Sequence, residues 1–114
     1  MTVKLNSTAL THARDLVKKG AVVRDERDDW SEHAPSASDE NAFLDGHPVG
    51  EFAKWYLGID TDKTEGTKGR YSFPFGDFES VHRCGVLAAE SRAAQNDHDD
   101  IATAAKNLLS LIDA

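Results

Sequence analysis

A chain of 114 residues with 39% hydrophobic and 29% charged side chains is long enough for one modest core and too apolar for a disordered segment. Its formal charge of −7 is concentrated in residues 28–62, where nine acidic groups face one basic group, Lys54; such a middle repels a phosphate backbone and argues against general nucleic-acid binding. No apolar run approaches the roughly 20 residues of a membrane span, no signal-peptide core is evident, and the single Cys84 has no partner for an internal disulfide, so the expected setting is the cytoplasm.

In chain order, residues 1–6 read as a loose lead-in. Asn6 or Ser7 caps a first helix running to about Lys19. Leu10, Ala13 and Val17 recur at spacings of three and four, with Leu16 beside them. Lys18 and Lys19 oppose the negative end of the helix dipole, and Gly20 supplies the stop. Residues 21–23 are predicted to be a brief extended segment pairing with residues 71–73. Trp30 stands in a polar stretch and is expected to fold over the core, with a binding-surface aromatic as the alternative. Ser36 or Ser38 caps a short helix through Leu44, and His47-Pro48 breaks it. From Val49 a further helix is predicted, with Phe52, Trp55, Tyr56 and Ile59 as its apolar face. Residues 60–69 read as a loop; D-T-D-K-T-E-G is not a calcium loop, because position twelve is Tyr71 rather than glutamate.

Residues 68–95 organise the rest. Phe73-Pro74-Phe75-Gly76 predicts a tight turn, and Asp77 is read as the N-cap of a long helix over residues 77–95. Gly85, Ala88, Ala89, Ala93 and Ala94 would let another helix approach closely. After Asn96-Asp97, a last helix over residues 98–112 carries the stripe Ile101, Ala104, Ala105, Leu108, Leu111 and Ile112. The expected fold is mainly α: a single-domain bundle of four to five helices with a minor two-stranded extended element.

The residues point weakly to chemistry. No two of His12, His33, His47, His82 and His98 lie three or four apart, so no zinc signature is present and no metal, cofactor or catalytic residue is expected. On a helix His82 and Cys84 would point about 200° apart, which makes Cys84 a packing residue. A metal-binding or hydrolytic enzyme built on Asp77, His82 and His98 is an alternative; in an antiparallel helix pair His82 and His98 would stand on the order of 20 Å apart. Arg70 is read as reaching Asp77 across the turn. The favoured contact surface is aromatic and basic: Arg70, Tyr71, Phe75, His82 and Arg83, with Trp30 as a further contact, facing a protein partner or an anionic ligand.

The string R-Y-S-F-P-F-G-D-F-E-S-V-H-R-C-G-V-L-A-A-E, with R-D-D-W-S-E-H and W-Y-L-G-I-D before it, resembles a family of small uncharacterised bacterial proteins across most of residues 20–112. The resemblance implies one compact domain and carries no activity or ligand. The expectation is a non-catalytic interaction or regulatory module. A nucleic-acid accessory protein working through the basic residues of 4–27 and 63–92 is a second alternative.

Overall fold

The computed structural model describes residues 3–26, 30, 34–64 and 67–114. The elements are β1 (Val3–Leu5), α1 (Ser7–Lys18), β2 (Val22–Val23), α2 (Ala37–Gly46), α3 (Val49–Ala53) and β3 (Tyr56–Asp60). A 3-10 turn (Lys68–Arg70) leads into β4 (Tyr71–Pro74), β5 (Val81–His82), α4 (Arg83–Gln95) and α5 (Asp99–Ile112). The architecture is α+β, which corrects the expectation of a mainly α bundle. An antiparallel sheet of order β1-β3-β4 and a parallel β2-β5 pair lie among the helices.

The correction begins at residues 49–59. Phe52, Trp55, Tyr56 and Ile59 have helical spacing, yet α3 ends at Ala53 and the chain continues as β3. Tyr56, Leu57, Gly58 and Asp60 are all buried, so this strand is covered on both faces and lacks the alternation that marks a half-exposed one. Its partners settle the matter. Residues 1–6 are not all a loose lead-in: Val3–Leu5 pair with β3 in the register Val3↔Asp60 and Leu5↔Gly58. The Asp100 carboxylate accepts from the Leu5 amide at 2.8 Å, tying this edge strand to the start of α5.

Pairing also differs around the turn. β2 runs parallel to β5 rather than beside residues 71–73, which join β3. Asp77 does not start a helix. Its Oδ1 accepts from the amides of Glu79 and Ser80 at 3.0 and 2.8 Å, folding residues 76–81 into a tight loop with Phe78 at φ 69. This is capping chemistry applied to a turn. α4 begins only at Arg83, with His82 as its N-cap in extended conformation.

Elements with strong local signals fall where expected. Asn6 is the N-cap residue of α1, and Gly20 follows the helix at φ 83. Ser36 and Asp39 form a reciprocal capping box at α2. Asp99 and Asp100 occupy the first turn of α5, which packs extensively on α4. The core joins Leu57, Phe52, Phe75, Val81 and Val86 to Ile101, Leu108 and Ile112. Tyr56 donates its hydroxyl to Glu40; burial and that carboxylate push its pKa far up, so the phenol stays protonated and braces α2. Gly85 is a seat rather than a helix contact: a Cβ there would meet the Trp30 ring at 2.9 Å and the Phe75 carbonyl at 3.0 Å. No described helix is long and apolar enough to cross a membrane.

Candidate functional site: a buried Asp–His–Asp chain and an adjoining groove

His82 closes β5, and its amide donates to the Phe75 carbonyl at 2.9 Å. That extended backbone sends the imidazole between two carboxylates from distant parts of the chain. Nδ1 lies 2.7 Å from Asp25 Oδ2, and Nε2 lies 2.9 Å from Asp77 Oδ2. The other oxygen of each carboxylate holds backbone. Asp25 Oδ1 accepts from the Cys84 amide at 2.8 Å, satisfying a first-turn donor of α4 from outside the helix. Asp77 Oδ1 holds the loop described above. The side chains of His82 and Asp25 are 4% and 8% exposed, whereas that of Asp77 is 39% exposed. The Trp30 ring lies 6.1 Å from the imidazole.

Burial is the largest single influence on His82 and opposes its charge. The hydrogen bonds and charges of Asp25 and Asp77 together outweigh it, so the pKa rises above 6.5. For Asp25, burial pushes up most strongly, but the Cys84 amide, the imidazole and the Cys84 thiol together carry its pKa below 3.8. Asp77 behaves alike, through His82 and the amides of Ser80 and Glu79. Set between two carboxylate acceptors, the ring donates from both nitrogens when protonated, the state that its raised pKa favours. In that protonated state it has no lone pair to offer as a general base.

The sign of the pH dependence follows. The raised His82 pKa contributes stability that is complete below 6.5 and is lost as pH climbs through the folded value. The depressed carboxylates contribute stability present above 3.8 and lost as pH falls through their folded values. His12 acts in the opposite sense: burial, then Lys54, lowers its pKa, so acid below 6.5 costs stability there. The unfolding free-energy difference between wild type and His82→Ala, measured with a chelator present, should therefore shrink as pH rises above 6.5. A difference independent of pH between 6 and 9 would contradict the charged ring.

The anticipated aromatic–basic surface is dispersed. Phe75 is fully buried and stacks on Trp55 at 5.7 Å, and His82 is buried as described. Tyr71 packs its ring toward Phe52 and Tyr56. Arg70 donates to the Lys63 carbonyl at 2.7 Å rather than to Asp77. Arg83 makes a two-pronged contact with Asp113, at 2.9 and 3.2 Å. Among the proposed enzyme residues, Asp77 and His82 meet, but His98 packs edge-on against Phe73 at 5.8 Å. Asp25 carries no local signal, because R-D-E-R reads as a solvated charge run and its contacts lie 57 and 59 residues away. Cys84 reads as a packing residue only while His82 is placed on the helix; on the extended backbone of β5, His82 faces the same carboxylate as the Cys84 amide. His33 lies outside the described residues.

Of the six, Trp30 borders a recess. It lines a small hollow of about 130 Å³ with Pro74, Ala88 and Arg92. Phe73 and Arg92 also line a neighbouring cleft of about 450 Å³, with Ser72, Asn96 and His98. Phe73 sits at φ 62, an unusual conformation for a bulky residue. Ser72 Oγ is buried without a hydrogen-bond partner, and Arg92 makes no ion pair among the described residues. Comparison with protein-family models, curated proteins and solved structures finds no match, so the site is read from its own geometry.

Proposed function

We propose that the protein is a small non-catalytic binding module that takes a carboxylate group with an apolar substituent in the groove on either side of Phe73. The observation that carries this reading is Arg92, an exposed guanidinium bordering both the polar cleft and the Trp30 hollow. A carboxylate on Arg92 gains the forked pairing that guanidinium geometry favours. Ser72 Oγ, left without a partner, is a second donor in the same cleft. An aliphatic substituent fits the hollow faced by Trp30, Pro74 and Ala88. The contact surface thus moves from the turn residues to the face between β4 and α4.

The test uses the full chain with three probes: a short peptide ending in leucine with a free carboxylate, its C-terminal amide, and N-acetyl-leucine. Amide NMR shifts are expected at Trp30, Arg92, Asn96 and His98 with both acids and not with the amide. Binding of the peptide alone would assign the source to a chain end, and binding of both to the carboxylate itself. Arg92→Gln should weaken affinity at least about tenfold, the scale of a charge-assisted hydrogen bond. Equal binding of acid and amide, or no shift with any probe, contradicts the reading.

A further inference from the structure

The buried cluster has a use beyond holding loop and helix together, and it does not depend on the groove. We infer that Asp25, His82 and Cys84 form a site for one divalent transition-metal ion of the zinc type, with Asp77 as its outer-shell acceptor. One ligand atom from each of the three, a carboxylate oxygen, an imidazole nitrogen and the Cys84 sulfur, lies within 4.8 Å of the others. Tetrahedral zinc with bonds of about 2.0–2.3 Å needs ligand atoms roughly 3.3–3.6 Å apart. The imidazole–carboxylate separation of 2.7 Å then opens slightly, and the sulfur, within 4.8 Å of both atoms, is in reach of its place. Side-chain rotations cover movements of that size.

The orientation of His82 is the strongest support. A metal-bound histidine almost always donates its other ring N–H to a carboxylate or carbonyl, which fixes the tautomer and raises the ligand's basicity. Here Nδ1 faces Asp25 while Nε2 reaches Asp77 at 2.9 Å. Asp77 is in turn held by two backbone amides, so the outer shell is already in place. Cys84 sits in the first turn of α4, where the helix dipole favours a thiolate. His82 and Cys84 are buried, which keeps competing water away. One sulfur, one nitrogen and one oxygen suit zinc or cobalt, whereas calcium and magnesium take oxygen ligands.

Binding exchanges protons for the ion. The imidazolium gives up its Nδ1 proton and the thiol its S–H proton, two protons released as one dication enters. Bound carboxylate, thiolate and neutral imidazole then balance its charge. Three protein ligands leave the fourth position to water or a small exogenous ligand.

The experiment titrates chelator-stripped full-length protein with Co²⁺ as the spectroscopic stand-in, followed by competition with Zn²⁺. Wild type should take up one ion per chain, show a cobalt–thiolate charge-transfer band that Zn²⁺ abolishes, and melt at a higher temperature with either metal. Cys84→Ser, checked for native circular dichroism, should lose the band and bind at least about tenfold more weakly. Asp77→Asn keeps all three ligands, so the band should remain while affinity falls about 10–100-fold, the usual cost of losing an outer-shell partner. Wild type lacking both the band and the melting shift overturns the inference. So does folded Cys84→Ser binding Co²⁺ as tightly as wild type, or Asp77→Asn with unchanged affinity.

Discussion

His82→Ala is expected to destabilise the metal-free protein by about 3–5 kcal/mol at pH 6, the scale seen when one member of a buried ion pair is deleted. The variant leaves the Asp25 carboxylate, 8% exposed, facing a cavity where its cation stood. The Cys84 amide still donates to Asp25, which keeps the loss from being larger. Asp77 loses its partner too, but it is more exposed and water replaces the imidazole. Asp77→Asn should consequently cost only about 1 kcal/mol. Urea denaturation checks both. A loss for His82→Ala below about 1 kcal/mol would mean that the carboxylates do not depend on the ring.

Gly76→Ala is expected to cost about 3 kcal/mol or more, at the upper end of overpacking. A Cβ at Gly76 would stand 2.4 Å from the Ser80 carbonyl oxygen and 2.7 Å from the Trp55 ring. Neither can yield easily. The Ser80 carbonyl accepts from the Asp77 amide at 3.2 Å, and Trp55 is packed between Phe75 and His12. Any shift of the loop also carries Asp77 away from His82, so Gly76→Ala and His82→Ala should be less than additive. Gly50→Ala is the control: nothing lies within 4 Å of the added methyl, and the position is helical. It should be neutral or stabilising by up to about 1 kcal/mol. Thermal or urea unfolding of the three variants decides, and a Gly76→Ala protein as stable as wild type would refute the packing around the turn.

How much of this was legible in the chain depends on whether the signal was local. Ser36 with Asp39, Gly20 after two lysines, and the stripe from Ile101 to Ile112 each specify structure within a few residues, and those helices form as read. The strands do not advertise themselves in that way. Tyr56–Asp60 is a strand because β1 and β4 flank it, and its aromatic neighbours happen to keep helical spacing across the boundary. Asp77 did reveal its capping chemistry, but the amides it caps belong to a turn. Starting α4 at Arg83 rather than Asp77 moves His82 onto extended backbone. Side chains that a helix would hold apart then face one carboxylate. Asp25 itself had no readable mark, because its meaning comes entirely from residues far along the chain.

The metal-free cluster rests on an imidazole that donates from both nitrogens. Nitrogen-15 NMR of the chelator-stripped protein, following the His82 ring as pH is raised, measures this directly. Two bound ring protons at pH 6.5 and a titration midpoint above that value are predicted. A ring carrying a single proton at pH 6.5, or a midpoint at or below it, would contradict the Asp25–His82–Asp77 arrangement.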